Sequence, residues 1–427
     1  MKKTVCFLLC VLLVFCISLG LAISESSAAE DKVVRIISLP DMTGMYSVVW
    51  VGAAFDALDT VIRETNEKGG IKYHDPVTNK TEHVKIKHVW EDTGGKVDRS
   101  LSIFKRHMNE PKTLTVLGLN SLDAEAIKPV VKEVKIPALW TACSLKMHTP
   151  PEWVFSPISS IYSEQMYALL DWMKRHGLKS IATIGWNAGA SWSWHMSLKY
   201  FAPQFGIEVI EPMEILPFVP MDTSIQLRRI KSKKPDVIFP ALLSKALVQV
   251  LKDSYKLGLM DRLVLAANGI DAVPIKMAGE KKCNGVRGQI MGTMTVEDVR
   301  ENPGVLKADE IVKKHYPRCR TPLRLNLGGW AGWSISEVAI QAVKMALEEV
   351  GYEKVNGQAV YDVLTSGVKL DTLFTKPVVL SKDVTYGAHF GTFGQWRDGD
   401  FHRLEDWRDY KIVTEKEHRE IIKMMGK

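Results

Sequence analysis

A chain of 427 residues is long enough for two domains of ordinary size, each with its own core. With 46% hydrophobic and 25% charged residues, it has the composition of an ordered globular protein and not of a disordered one. Its formal net charge of +7 comes without any lysine or arginine cluster interleaved with aromatics, so nothing points to nucleic acid as a partner.

Lys2 and Lys3, an apolar run over 5–23 and the small residues Ser27, Ala28 and Ala29 are the three parts of a secretory signal. The length of the apolar run leaves an uncleaved membrane anchor as the other reading. A lipoprotein signal needs a small residue before its cysteine, and here Phe15 precedes Cys16. The expectation is a signal peptide over 1–29, cleavage after Ala29, and a soluble periplasmic protein starting at Glu30. Cys6, Cys10 and Cys16 leave with the signal; Cys143, Cys283 and Cys319 remain, with no metal-type spacing. One disulfide, Cys283 with Cys319, is open in an oxidising compartment.

From Val33 one theme repeats: a short apolar strand, a turn, then an amphipathic helix. Strands are expected at 33–39, 84–90, 114–117 and 138–140, with helices at 53–67, 97–108 and 123–134. The theme resumes with helices at 163–176, 193–205, 224–231 and 244–257 and strands at 180–184, 208–215, 237–239 and 263–266. Such alternation predicts α/β architecture with parallel sheets covered by helices on both faces. The strands are too many for one compact sheet, so two lobes are expected, with crossings near Pro157 and at Ala278-Gly279.

Ligands of open parallel sheets bind beyond the carboxyl ends of the strands, where loops lead into helix N-termini. Segments 41–50, 119–123, 141–145, 186–193 and 268–271 take such positions. The fourth lies within GWNAGASWSWHM, residues 185–196, in which Trp192 and Trp194 stand two apart on a helix and cannot share a face. One should pack against its sheet and the other be partly exposed, while Trp186 at the strand end is either pocket wall or lobe core.

Catalytic motifs are missing. The chain has no G-x-G-x-x-G after its first strand, no Walker motif, no H-E-x-x-H and no C-x-x-C. Ser191 superficially suggests a nucleophile elbow, but Ser193 stands where the second glycine is needed. The histidines are scattered singly, and Glu348-Glu349 and Glu405-Asp406 read as solvated surface charge. No enzyme, cofactor or metal site is expected.

The stretches IISLPDMTGMYSVVWVGAAFDALDTVIRETNEKGGI, TVLGLNSLDAEAIKPVVKEVKIPALWTACS and KSIATIGWNAGASWSWHMSLKYFAPQFGIEV, followed by KPDVIFPALLSKALVQVLKDSYKLGL, LVLAANGIDA and ISEVAIQAVKMALEEVG, cover nearly all of the mature chain. In order and spacing this set resembles the periplasmic solute-binding proteins of branched-chain amino acid ABC importers. The resemblance implies a type I periplasmic-binding-protein fold, two Rossmann-like lobes joined by a three-segment hinge. Lobe one would comprise 30–157 and 280–378, and lobe two 158–279 and 379–427. The implied partners are a small carboxylate-bearing ligand enclosed between the lobes and a membrane permease that reads the closed form. A monomer is expected, and a ligand-sensing receptor module of the same fold is the alternative.

Site residues follow from the resemblance position by position. Trp50 matches an aromatic at the lip of the first loop, and Ser121 the serine that holds the ligand carboxylate. Ala142 and Ser144 match a short stretch that donates backbone and hydroxyl hydrogen bonds to the same group. Plain helix capping is the other role open to both serines. Lobe two departs from the amino-acid binders: Leu243 replaces a tyrosine, an aromatic is missing around Ala190, and Asn268 stands where an acid would pair with the ligand ammonium. Asn268 could equally be a turn residue before Gly269. The expected ligand is therefore an acid that need not carry an α-amino group, unless another carboxylate such as Asp271 supplies the missing partner.

Overall fold

The computed structural model describes residues 32–266, 271–291, 295–299 and 302–426. The signal segment and Asn268 lie outside the described residues. The first sheet is built from β1 (Val33–Ser38), β2 (Ile71–Asp75), β3 (Lys80–Trp90), β4 (Thr113–Gly118), β5 (Ala138–Trp140) and β6 (Val154–Phe155), in the order β2-β3-β1-β4-β5-β6. All pairs except β2–β3 are parallel. Every residue of β4 and β5 is buried, as strands covered on both faces require.

The second sheet begins with β7 (Ser180–Trp186), β8 (Glu208–Leu216) and β9 (Val237–Ala241), in the order β8-β7-β9 and parallel. A parallel bridge from Ile238 to Leu263 continues it into β10 (Val264–Leu265) and β11 (Arg287–Met291). A separate antiparallel pair follows, β12 (Ser366–Leu370) with β13 (Val378–Ser381). The chain then returns to the second sheet as β14 (Phe390–Arg397), β15 (Asp400–Arg403) and β16 (Arg408–Asp409).

The expected parallel cores are present, with antiparallel strands added to them: β14 runs antiparallel to β11 and β15, and β2 to β3. Two expectations need correction here. The chain does not leave the second sheet at Ala278-Gly279, because β11 still pairs with β10 and β14. The disulfide does not form: Cys283 and Cys319 are free and buried in different apolar cores, one against the second sheet and one against the first. Burial pushes both thiols up to about 11, the behaviour of inert core cysteines. Glu405 also departs from the reading as solvated charge, since Arg175 pairs with both its oxygens at 2.5 and 3.0 Å.

The chain passes between the sheets three times: after β6, between β11 and the helix Pro303–His315, and between β13 and β14. Two of these passages lie side by side, joined by a bridge from Ser156 to Tyr386. Buried His148 ties them together, with Nδ1 2.7 Å from the Thr385 hydroxyl and Nε2 2.9 Å from that of Ser156. Among the described residues no helix is long and apolar enough to cross a membrane.

Candidate ligand-binding site

The longest helix, Leu327–Val350, sets the position of the loop after β1. A Cβ on Gly328 would fall 2.0 Å from the Val49 carbonyl oxygen, and one on Gly332 would fall 2.2 Å from that of Ala54. Only glycine lets the helix lie this close to the turn that carries Trp50. The other end of the loop is held by two carboxylates. Asp41 accepts the backbone N–H groups of Gly44 and Tyr46, and Asp92 accepts from Met42 and the Thr43 hydroxyl.

This loop forms one wall of a cavity beyond the carboxyl ends of both sheets. Tyr46, Val49 and Trp50 line it with Leu119, Asn120 and Ser121 after β4, and Thr141 and Ala142 after β5. The second sheet contributes Trp186 at the end of β7, Ala190 and Trp194 from the helix Gly189–Phe205, and Leu243 after β9. Tyr162 and Leu327 complete the lining. None of these side chains is charged. Free space for water-sized molecules is about 60 Å³, below the ~150 Å³ of a buried cavity that takes benzene. A solute of that size enters only if the walls part.

Of the residues expected at the site, Trp50, Ser121, Ala142, Trp186, Ala190 and Leu243 are brought together on this cavity. Ser121 is not a cap. Asn120 caps the helix Ser121–Val134, its side chain accepting from the Asp123 N–H at 2.9 Å, and the Ser121 hydroxyl lies against the Tyr162 phenol. Ser144 departs from expectation on both counts. It makes no capping bond, and its hydroxyl donates to Glu125 Oε1 at 2.6 Å, away from the cavity lining.

The tryptophans divide as the spacing predicts. Trp194 is buried, stacks on Tyr162 at 4.1 Å and donates to Gln165; Trp192 is half-buried and donates to Asn187. Trp186 is wall and core together, packed beside Phe218 and meeting Tyr46 edge-on at 6.4 Å. The indole N–H groups of Trp50 and Trp186 are buried without a partner, as are those of Trp172, Trp330 and Trp396 in the cores.

The sequence reading missed Tyr46, Asn120, Thr141 and Tyr162. Tyr46, Asn120 and Thr141 lie inside segments assigned to strand ends, but nothing in their spacing separates a lining side chain from its neighbours. Behind Asn120 lies Asp123, whose carboxyl burial pushes up to about 6. Burial also raises the Tyr46 phenol, and the Asp123 and Asp41 charges add to the shift. Asp271 caps the helix Ala272–Ala278 through the Val273 N–H at 2.9 Å, and burial pushes it up to about 7.

The periplasmic binding protein family model matches residues 33–400. The chain belongs to that family. It is a solute-binding protein of extracytoplasmic type, and its fold is the two-lobed type I fold. A search of curated protein sequences finds no match. Among solved structures, the chain is similar to a branched-chain amino acid ABC transporter protein from Thermus thermophilus with bound valine, at 17% identity and a TM-score of 0.76, over 92% of this chain and 99% of that one. It is similar at 15% identity and a TM-score of 0.74 to a fatty acid ABC transporter substrate-binding protein from Thermomonospora curvata, over 88% and 92% of the two chains. A solute-binding protein of an ABC transporter from Rhodopseudomonas palustris BisB5, in complex with 3,4-dihydroxybenzoic acid, matches at 16% identity and a TM-score of 0.70, over 88% and 97%.

Proposed function

We propose that this family member is the substrate-binding component of an ABC importer. It is exported with loss of residues 1–29, captures a small carboxylate-bearing solute between its lobes as a monomer, and presents it to a membrane permease. The observation that carries the solute class is the lining itself: hydroxyls of Ser121 and Thr141 and the Ala142 backbone on one wall, Trp186, Trp194 and Leu243 on the other, and no anionic side chain among them. A hydrogen bond to a charged group contributes about 1.5–3 kcal/mol, which favours acids over neutral solutes. An α-ammonium facing Leu243 and Ala190 would be a buried charge without a partner, at a cost of several kcal/mol. The solute is thus an aliphatic or aromatic acid. The similar structures agree in kind, since valine, fatty acids and 3,4-dihydroxybenzoic acid all carry a carboxyl group.

One observation favours a branched-chain amino acid instead. Burial raises the Tyr46 phenol and the Asp123 and Asp41 charges add to the shift, so negative charge stands behind the first-sheet wall, where an ammonium would be welcome. Releasing the solute from protein purified under native conditions, by denaturation, and identifying it by mass spectrometry tests the proposal. A deaminated acid is the expected result; a neutral or cationic solute overturns the carboxylate assignment.

A further inference from the structure

Glu125 belongs to the first-sheet helix Ser121–Val134, yet its carboxylate faces the other lobe. A methyl group placed on Gly189 would lie 3.3 Å from Glu125 Oε1 and 3.4 Å from Oε2. Gly189 opens the helix Gly189–Phe205, and the residue before it, Ala188, makes no side-chain capping bond. The helix begins without a side-chain cap, and the positive end of its dipole is turned towards an acid from the opposite lobe. Ser144 holds that acid in place through its 2.6 Å hydrogen bond.

We infer that Glu125 is a closure latch: an N-terminal counter-charge for a lobe-two helix, supplied by lobe one only when the lobes are together. The placement explains why Ser144 turns away from the cavity, and why position 189 is glycine, since a side chain there would push the carboxylate off. Ala190, the next residue, lines the cavity, so the latch and the solute act on the same first turn. Asp271 makes the converse contact. It sits on the lobe-two helix Ala272–Ala278, and its carboxylate also faces the backbone N–H of Leu327, the first residue of the lobe-one helix Leu327–Val350. Each lobe thereby lends an acid to a helix start of the other, at the rim of one cavity. Glu125 is a positioning residue: it sets how tightly any solute is held without touching it.

The inference rests on the two-lobed architecture and not on which solute binds. Hydrogen exchange of protein saturated with 4-methyl-2-oxopentanoate, in which the lobes are together, tests it directly. In Glu125→Gln, a near-isosteric change, amides at 189–191 should exchange about threefold to tenfold faster, the range of a lost charge at a helix start. Amides of its own helix at 126–134 should not change, which a merely structural role would not predict. Ser144→Ala should give a smaller change of the same sign. With 4-methyl-2-oxopentanoate as probe, Glu125→Gln should bind about threefold to tenfold more weakly through faster dissociation. If the probe fails to bind the wild type, the proposed solute class is wrong, and the same exchange comparison, made with the solute released from natively purified protein, still decides the latch. Unchanged exchange at 189–191 in both variants would overturn it.

Discussion

At the scale of single residues, the site was legible where chemistry and strand-end position coincide. Ser121 stood out as a hydroxyl at a helix start, and it is on the cavity because Asn120 takes over the capping. Ser144 looked the same in sequence. Only the fold shows that Glu125, nineteen positions earlier, claims its hydroxyl. Periodicity cannot report a contact of that kind, nor the placement of Tyr162, which reaches the cavity from a helix behind the crossing. Replacing Ser121 with Ala removes one hydrogen bond to the solute. Affinity for the acid that binds should fall by about tenfold or more, the equivalent of about 1.5–3 kcal/mol. Titration calorimetry checks this; an unchanged affinity would place the carboxylate elsewhere.

At the scale of elements, the repeated strand-helix theme was readable because its apolar runs are short and separated by polar turns. The antiparallel additions were not, although their signals are present. In β2, Ile71, Tyr73 and Asp75 are buried while Lys72 and His74 are exposed, an alternation of period two. The β14–β15 turn is Asp398-Gly399 with φ of 52° and 82°, the positive pair that a tight hairpin requires. Packing of the helix Leu327–Val350 gives a second prediction. Gly332→Ala must move either the helix or the Ala54 backbone, at a cost of about 1–3 kcal/mol, and should also weaken binding because the moved turn carries Trp50. Denaturant melts together with calorimetry would show both effects; loss of neither would contradict the close approach.

The crossings give a third prediction. Burial drives His148 well below its ordinary range and His418 down to about 4. Depressed values mean that the folded state resists protonation. The stability these groups contribute is present above the ordinary histidine value of 6.5 and is lost as pH falls towards about 4. Asp123, Asp271 and Glu337, with raised values of about 6, 7 and 7, act oppositely over the same window, so the wild-type profile alone does not isolate the histidines. The comparison with His418→Gln does. Between about pH 7 and pH 4.5 the wild type should lose more melting temperature than the variant; equal losses would contradict a buried neutral His418.

At the scale of the whole molecule, two sheets share one cavity, and Tyr46 from the first meets Trp186 from the second across it. The free space of about 60 Å³ is too little for a solute of benzene's size to enter without the lobes parting. Small-angle scattering should give a smaller radius of gyration at saturating solute than without it, and Trp186 fluorescence should change in step. An unchanged radius would remove the hinge from the account. The central claim is that the cavity selects for a carboxylate and not for an α-ammonium. Calorimetry of two pairs separates the two groups: leucine against 4-methyl-2-oxopentanoate, and phenylalanine against 3-phenylpropanoate. The deaminated acid of at least one pair should bind as tightly as its amino acid or more tightly, whereas amino acids binding at least tenfold tighter in both pairs would contradict this selectivity.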